Sequence, residues 1–482
     1  MSRFRDYDRY DGLGLAELVA KKQVSAEELL DEAIERTEAI NPAINAVVQK
    51  IYDEARRAVR AGLPDGPFSG VPFLLKDLGA WYKGFPVGGG SHLYDGFVAH
   101  CDFTMVERHK AAGLVVFGRT NTPEFGLAPT TEPVAHGPTR NPWHTEHSAG
   151  GSSGGAAAAV AAGIVPMAHA TDGGGSIRIP AAHCGLFGLK PTRARTPAGP
   201  LAGEGWGGMA IGHGVTISVR DSAALLDATS GPSPGDPYVA PAPARPFLQE
   251  VGADPGRLRI GLMARSPFGP VHPECATAAA SAARLCEDLG HQVEEAAPDF
   301  DMPAMRWARD VIIAGSMASS IDKRLETLGR QLRSGEIETV TALWAERGRR
   351  YTARDHARAT SILHTIGRQI AGFFADHDVL ISPISSEPPP RLGIVNMMSD
   401  DLDGFHEMLF KLLPFTRQFN VSGGPAASLP LHWSADGLPI GVQLAADYGN
   451  EAVLFRLSAQ LEQARPWRDR KPPVHASRLA AS

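Results

Sequence analysis

Two turns rich in glycine and serine enclose one alanine-rich segment, and this pattern constrains the fold more than any other feature of the chain. The first turn lies at residues 150–155, which read GGSSGG, and the second lies at residues 172–176, which read DGGGS. Flexible linkers share this composition, but a linker does not continue directly into an alanine-rich helix and an apolar strand. We therefore expect regular secondary structure to hold both turns, with a short helix that begins near Gly155.

Short apolar runs alternate with helical segments along most of the sequence. The pattern predicts a strand at residues 71–75, a helix at 102–112 and another strand at 114–117. The same texture returns later, with a strand at 258–263 followed by a helix at 273–289. Buried strands that alternate with helices are typical of the α/β class. We expect one large, mixed and mostly parallel twisted sheet that is covered by helices on both faces.

A proline-rich stretch separates two regions of this texture. Because both regions have the same character, we predict a single domain over residues 1–482 rather than two domains. In this prediction residues 1–66 form an N-terminal helical segment and residues 67–230 form the core. Residues 231–256 are the connector, and residues 257–482 supply the second half of the same sheet together with the helices of the substrate pocket.

Charge and cysteine content argue against several classes of protein. The net charge is −6 and no run of five or more lysines and arginines occurs, which argues against a nucleic-acid partner. The four cysteines are scattered without a CxxC pair, so neither a disulfide framework nor a zinc site is indicated. The first residues are charged, and the longest apolar stretch is too short to cross a bilayer. We expect a cytoplasmic protein without a membrane partner.

The backbone of a glycine-rich turn is suited to binding an anion. Glycines leave several N–H groups exposed in one direction, and the positive end of a following helix adds to their effect. The anion could be a phosphate or the oxyanion of a tetrahedral acyl intermediate. The phosphate alternative lacks the GxxxxGK[ST] sequence, whereas the acyl alternative has candidate nucleophiles in Ser176 and in the pair Ser152 and Ser153.

The base for such a nucleophile could be a histidine or a lysine. Desolvation would lower the pKa of Lys76, which ends a buried apolar run, so that its amine could accept a proton near neutral pH. The histidines near the two turns in sequence are His136, His144, His147, His169 and His183. The residues alone leave both alternatives open.

Several motifs in a fixed order give the chain a resemblance to the amidase signature family. They are GVPFLLKD at residues 70–77, GGSSGG at 150–155, TDGGGSIRIPAAHCGLFGLKPT at 171–192, and FNVSGGPAASLP with GLPIGVQL within 419–444. Ser152 and Ser176 are 24 residues apart, as the family requires. The resemblance covers nearly the whole chain. It implies amide hydrolysis through a serine acyl-enzyme, without a metal or an organic cofactor.

The resemblance also implies roles for individual residues. In the family's Ser–cis-Ser–Lys triad, Ser176 corresponds to the nucleophile, Ser152 to the relay serine after a cis peptide bond, and Lys76 to the terminal base. The implied oxyanion hole consists of the backbone N–H groups of Gly173, Gly174, Gly175 and Ser176. The residues that would brace the turns are Ser153, Asp172 and Arg178. Gly173 is a departure, because the family usually has a bulkier Thr or Ile there.

Substrate preference is expected to lie in the variable segments outside these motifs. They predict an apolar pocket for small, rather hydrophobic amides, with the candidate lining residues Trp81, Phe125, Trp206, Met209 and Trp307. Residues 131–143 and 192–200 are most similar to the branch that includes hydrolases of cyclic nylon oligomers, which favours aryl or aliphatic amides, cyclic oligoamides or carbamates. The alternatives are a subunit of a tRNA-dependent amidotransferase and a non-catalytic binding protein on this scaffold. The resemblance is compatible with a homodimer.

Overall fold

Eleven strands form a central sheet in the computed structural model, which describes residue 4 and residues 6–481. The strands in chain order are β1 (Val47–Lys50), β2 (Pro72–Lys76), β3 (Val115–Thr120), β4 (Arg140–Asn141), β5 (His144–Ser148), β6 (Met167–Asp172), β7 (Phe187–Lys190), β8 (Ile211–Thr216), β9 (Arg259–Leu262), β10 (Gln292–Glu295), β11 (Val379–Pro383), β12 (Ala426–Trp433) and β13 (Pro439–Ala445). Their order in the sheet is β1-β3-β2-β6-β8-β7-β12-β13-β11-β9-β10, and β4 pairs with β5 apart from it.

Parallel pairing is concentrated towards the two ends of the sheet. Four of the ten neighbouring pairs are parallel, namely β2 with β3 and β6, and β9 with β10 and β11. The other six pairs are antiparallel. The predicted α/β class and mixed sheet are confirmed, with fewer parallel pairs than the sequence suggested. Short connections such as residues 434–438, between β12 and β13, can join only antiparallel strands.

Helices cover both faces of the sheet. On β2, Phe73 and Leu75 pack in one apolar cluster, whereas Leu74 packs in another on the opposite face, as the period of a strand requires. Leu380 and Ile381 of β11 divide between two clusters in the same way. The sheet is therefore buried between two layers of helices.

Fourteen α-helices lie within the described residues. They are α1 (Gly12–Ala20), α2 (Ala26–Ile44), α3 (Tyr52–Ala61), α4 (Thr104–Ala111), α5 (Gly154–Ala161), α6 (Arg178–Cys184), α7 (Val219–Thr229), α8 (Pro273–Asp288), α9 (Met302–Leu328), α10 (Thr339–Arg350), α11 (Ala353–Phe373), α12 (Leu402–Leu412), α13 (Gln418–Ser422) and α14 (Glu451–Ala464). In this part of the chain, no helix is both long enough and apolar enough to cross a membrane.

The connector lies between α7 and β9. Its residues 231–246 contain neither helix nor strand, and a short 3-10 helix follows at Phe247–Glu250. The buried Phe247 ring lies 5.7 Å from that of Phe455 on α14, which anchors the connector. The sheet continues across it, because β7 before the connector pairs with β12 after it.

The sheet brings the two glycine-rich turns to the end of one parallel pair. Lys76 is the last residue of β2 and Asp172 is the last residue of β6, and parallel neighbours end at the same edge of a sheet. The first turn leads into α5 and the second leads into α6. The strand and the helix between the turns thus fix their separation, as the sequence predicted.

Candidate active site

The amine of Lys76 lies among three hydroxyl groups. Its Nζ is 2.7 Å from Ser152 Oγ, 3.0 Å from Ser153 Oγ and 2.9 Å from Thr171 Oγ1. The lysine side chain is fully buried, and β6 supplies Thr171 from the neighbouring strand. This geometry joins the predicted base to the predicted relay serine.

Burial changes the proton affinity of this amine. Desolvation lowers the pKa of Lys76 to about 7, and the charge of Asp172 only partly opposes this. A large fraction of the side chain is therefore neutral near pH 7. A neutral amine that hydrogen-bonds to a serine hydroxyl has the position and the pKa of a general base.

The first turn places Ser152 in the interior of the protein. The Gly151–Ser152 peptide bond is cis, and the serine side chain is buried. The next residue, Ser153, donates its backbone N–H to the carbonyl oxygen of Ser176 at 3.3 Å. The two turns are thus in direct contact.

Ser176 is partly buried and lies in the wall of a cavity of about 300 Å³. Its hydroxyl makes no hydrogen bond to any residue that the structure describes. Ser176 is therefore open to a molecule in the cavity, whereas the buried Ser152 and Lys76 are not among the lining residues.

The backbone of the second turn divides into two sets of N–H groups. Gly175 N donates to Asp172 Oδ1 at 2.8 Å, and Ile177 N donates to Asp172 Oδ2 at 3.1 Å. Within the described residues, the N–H groups of Gly173, Gly174 and Ser176 have no acceptor. This corrects one expectation, because the N–H of Gly175 is already bonded to Asp172 and is not free for an oxyanion.

Asp172 is held by a buried ion pair. Arg178 Nη2 lies 2.9 Å from Asp172 Oδ1, and both side chains are fully buried. Asn420 donates to the same oxygen at 2.9 Å. Burial alone would raise the pKa of Asp172, but Arg178 and Asn420 hold it below its ordinary value. The carboxylate that shapes the turn is therefore ionised.

Histidines do not provide a base for Ser176. His169 Nδ1 accepts the backbone N–H of Lys76 at 3.4 Å, and burial lowers the pKa of His169 well below its ordinary value. His183 is buried too, and its pKa falls to about 3 for the same reason. No histidine in the described part of the chain hydrogen-bonds to Ser176. The geometry favours the lysine alternative.

Comparisons with known proteins agree with this geometry. The sequence model of the Amidase family matches residues 28–455. The chain is 41% identical over 480 residues to the 6-aminohexanoate-cyclic-dimer hydrolase of Pseudomonas sp. (strain NK87), and the match covers 96% of this chain and 96% of that one. The chain belongs to the amidase signature family.

Solved structures of other amidase signature enzymes have the same fold. The structure of 6-aminohexanoate cyclic dimer hydrolase superposes with a TM-score of 0.93 at 40% identity, over 97% of this chain and 99% of that chain. A bacterial aryl acylamidase superposes with a TM-score of 0.85 at 30% identity, over 95% and 96% of the two chains. This amidase is accordingly an amide hydrolase that cleaves C–N bonds.

The cavity of this amidase has an apolar wall and a charged wall. Its large apolar residues are Leu127, Ile179, Trp206, Trp307, Ile313, Trp344, Leu409, Phe410 and Leu413. Four arginines and three carboxylates also line it. The pocket is therefore mixed, whereas the sequence predicted an apolar one. Helices α9 and α12 supply both charged and apolar residues to this wall, for example Arg309 beside Trp307 and Glu407 beside Phe410.

Two of the five predicted pocket residues line the cavity of the amidase, namely Trp206 and Trp307. The Trp81 ring packs instead against Phe97, His100 and Phe103. Phe125 is buried against Tyr94, and the residues that follow it, 126–129, line the cavity instead. Met209 is buried and accepts a hydrogen bond from Asn420 through its carbonyl oxygen. These three residues therefore do not belong to the cavity wall.

Sequence reasoning missed several residues around the amidase centre. Thr171 and Asn420 lie inside the quoted motifs, so their proximity to the glycine-rich turn could have been anticipated. Thr416 Oγ1 donates to the carbonyl oxygen of Gly174 at 2.7 Å, and no motif pointed to it. Arg309 and Arg417 lie in variable segments without any motif. Only the folded chain brings them to the turn.

Proposed function

We propose that this amidase acts through a Ser176 acyl-enzyme, with Ser152 as proton relay and Lys76 as base. The observation that carries the proposal is the 2.7 Å contact between Lys76 Nζ and Ser152 Oγ, next to a cavity that is lined by Ser176. The lowered pKa of Lys76 supports it further. A lysine with an ordinary pKa of about 10.4 would be almost entirely protonated at neutral pH and would not accept a proton.

The hydrogen bonds of Lys76 favour Ser152 as the proton donor. A neutral amine has two hydrogens and one lone pair, so at least one of the three surrounding hydroxyls must donate to Nζ. Ser153 uses its hydrogen on the carbonyl oxygen of Thr171, at 3.3 Å. Ser152 is the nearest of the three hydroxyls to Nζ. We therefore assign the Ser152 hydrogen to the lysine lone pair.

Acylation follows from this arrangement. Lys76 takes the proton of Ser152, Ser152 takes the proton of Ser176, and Ser176 Oγ bonds to the amide carbon while the carbonyl π electrons move to oxygen. When the intermediate collapses, the C–N bond breaks and the relay returns the proton to the leaving nitrogen. This protonation is essential, because an amide anion is a poor leaving group.

The oxyanion of the intermediate would lie at the second turn. The N–H groups of Gly173, Gly174 and Ser176 have no acceptor among the described residues, and they are the donors that we assign to it. Removing one such donor from a hydrolase costs about 10²–10³-fold in kcat. Water then attacks the carbonyl carbon of the acyl-enzyme while the same relay takes its proton. When this second intermediate collapses, the C–O bond to Ser176 breaks and the relay returns the proton to Ser176 Oγ, which restores the hydroxyl and the neutral lysine.

We propose small amides with an aryl or aliphatic body as substrates, including cyclic oligoamides and carbamates. The three tryptophans in the cavity wall support an apolar body, and the similarity to 6-aminohexanoate-cyclic-dimer hydrolase supports cyclic oligoamides. A subunit of a tRNA-dependent amidotransferase is the less favoured alternative. It would require partner subunits, and the 41% identity to that hydrolase over 480 residues favours the stand-alone enzyme.

We also propose that the chain works as one domain over residues 1–482. The β7–β12 pair supports this, as do the hydrogen bonds of Arg178 to the Thr416 carbonyl at 2.9 Å and to Gln443 at 2.7 Å, which join the two halves of the chain. The boundaries at residues 66, 230 and 256 describe segments of that domain. A cytoplasmic location and a homodimer stay predictions from the sequence.

Hydrolysis of two unlike amides tests the proposed function. Release of 4-nitroaniline from 4-nitroacetanilide and of primary amine from 6-aminohexanoate cyclic dimer should both fall by about 10³-fold or more in Ser176→Ala. Ser320→Ala is the matched control, because Ser320 is exposed on α9 and bonds only to its own helix. Undiminished turnover in Ser176→Ala would overturn the assignment. Absence of turnover by the unaltered chain on any amide would favour the binding-protein alternative.

A further inference from the structure

The arginines of the cavity wall are not all paired with carboxylates. Arg306 forms an ion pair with Glu407. Arg347 lies 2.7 Å from Asp403, and its other Nη atom lies 3.8 Å from Asp310. These contacts involve all three carboxylates of the cavity wall but only two of its four arginines.

Arg309 and Arg417 are the two arginines left over. Each side chain is buried, and neither forms a salt bridge or donates a side-chain hydrogen bond within the part of the chain that the structure describes. Nε of Arg309 and Nη1 of Arg417 are buried without a partner. Asp310 follows Arg309 in sequence, but its two oxygens accept hydrogen bonds from Trp344 and Tyr351.

The pKa values of both guanidinium groups lie below the ordinary value of arginine, and burial is the largest cause for each. Burial, followed by repulsion from Arg309 and Arg306, holds the pKa of Arg417 well below its ordinary value. Burial lowers the pKa of Arg309 to about 10, and Asp310 only partly opposes this. The Arg417 guanidinium lies 4.3 Å from the centre of the Phe410 ring, which provides a cation–π contact but no charge. Two unpaired buried cations are unfavourable unless a ligand supplies the missing anion.

The guanidinium group of Arg309 and the side-chain stem of Arg417 lie beside the oxyanion turn. A Cβ atom at position 174 would lie 3.2 Å from Arg309 Nη2 and 3.8 Å from Arg417 Cγ. Arg417 directly follows Thr416, whose hydroxyl is bonded to the carbonyl oxygen of Gly174. Thr416 therefore joins the Gly174 turn to Arg417, and both arginines line the same cavity as Ser176. A ligand group bound between the arginines would lie close to the amide carbon that Ser176 attacks.

We propose that Arg309 and Arg417 form an anion subsite that binds a carboxylate of the substrate, so that the preferred substrates are amides with a carboxylate near the scissile bond. The inference rests on the proposed function of Ser176. A guanidinium presents two parallel N–H donors that match a carboxylate, and an unpaired buried pair can hold the two oxygens from different sides. The apolar wall with Trp206 and Trp307 then accommodates the body of the substrate.

The test compares matched substrates that differ only in the carboxylate. The mono-4-nitroanilides of succinic, glutaric and adipic acid are compared with the neutral pentanoyl, hexanoyl and heptanoyl 4-nitroanilides. The unaltered enzyme should have a higher kcat/KM for at least one acid than for its neutral partner. In Arg309→Gln and in Arg417→Gln this preference should fall by about tenfold or more. The neutral anilides should lose much less kcat/KM than the acids, because they carry no carboxylate for the arginines to bind.

Arg349→Gln is the matched control, because Arg349 lies on α10 outside the cavity wall and pairs with Asp322 at 2.6 Å. It should leave the preference unchanged. An equal fall for charged and neutral anilides in Arg309→Gln would overturn the inference, because the arginine would then act on the oxyanion rather than on the substrate. An unchanged preference in both arginine variants would overturn it as well.

A binding measurement separates failure of the subsite from failure of the proposed function. Calorimetric titration of Ser176→Ala with the same carboxylate anilides requires no turnover. Binding that weakens about tenfold or more on adding Arg309→Gln supports the subsite even if the unaltered enzyme hydrolyses none of the anilides. Equal binding of charged and neutral anilides by Ser176→Ala would overturn the subsite even if Ser176 is the nucleophile.

Discussion

The ring of Trp206 occupies the space that a side chain at Gly173 would need. A Cβ atom at position 173 would lie 2.6 Å from both Cε3 and Cζ3 of that ring. Trp206 has a φ of 51°, in the left-handed region that non-glycine residues seldom adopt, and its ring lines the cavity. The bulkier residue that the family resemblance leads one to expect at Gly173 is absent, and this absence makes room for an aromatic wall beside the oxyanion turn.

Gly173→Ala is therefore expected to displace the Trp206 ring. Overpacking of this kind costs about 1–3 kcal/mol of unfolding free energy. The displaced ring would also narrow the cavity, so kcat/KM for an aryl amide should fall. In a Trp206→Ala background, Gly173→Ala should lower the unfolding free energy markedly less, because the ring that the new Cβ atom would meet is absent. Urea unfolding of the four proteins measures this coupling as a double-mutant cycle.

Gly315→Ala is the control for this cycle, because Gly315 lies on α9 and a Cβ there would meet no atom within 4 Å. It should stabilise the protein by up to about 1 kcal/mol through helix propensity alone. An equal cost of Gly173→Ala in both backgrounds would contradict the role assigned to Trp206.

The pKa of Lys76 is expected to set the acidic limb of the pH dependence of kcat/KM. Its pKa is lowered to about 7, and only the neutral amine can take the relay proton. We expect kcat/KM to be low well below pH 7, to rise as the pH passes about 7, and then to level off. Lys76→Ala should remove this limb and lower kcat/KM by about 10²–10⁴-fold. The exposed Lys83 supplies the control, since Lys83→Ala should keep the limb where it is.

Thr171→Val should move the same limb without abolishing activity. Thr171 Oγ1 is one of the three oxygens around the Lys76 amine, and an oxygen that accepts from the ammonium form stabilises the charged state. Its loss should lower the pKa of Lys76 further, so the limb should shift to lower pH. A limb that stays in place in Thr171→Val would mean that another group titrates there.

Breaking the buried ion pair between Asp172 and Arg178 is expected to lower the stability of the protein strongly. Both side chains are fully buried, so Asp172→Asn leaves the Arg178 charge unpaired and should cost about 3–5 kcal/mol of unfolding free energy. Because folding lowers the pKa of Asp172, its contribution is present at neutral pH and is lost as the pH falls through the acid range. Asp322→Asn, which breaks the exposed pair with Arg349, should cost about 0–1 kcal/mol in the same urea experiment. Similar costs for the two variants would contradict this account of the pair.

The residues that meet at the site could be predicted because continuous motifs contain them. Lys76 ends a buried apolar run, and Ser152 and Ser176 lie in turns that one helix and one strand separate. Such local patterns determine where each residue lies relative to its own strand or helix. The fold class followed from the same alternation, while the balance of parallel and antiparallel pairs depended on contacts between distant strands such as β7 and β12.

The wall of the cavity could not be predicted in the same way. Trp81 and Trp206 both lie in variable segments, yet one stacks within an aromatic cluster and the other turns into the cavity at a positive φ. Arg309 and Arg417 come together only because Thr416 and α9 both pack beside the Gly174 turn. Contacts of this kind join residues that are far apart in sequence, and no local pattern encodes them.

The central claim is that Ser176 is the nucleophile, and covalent labelling tests it most directly. A fluorophosphonate reacts with an activated serine and leaves a stable adduct, which intact mass detects and peptide mapping locates. We expect a single adduct on Ser176 that is absent in Ser176→Ala and present in Ser320→Ala. Labelling of a different residue in the unaltered chain, or an adduct that persists in Ser176→Ala, would contradict it.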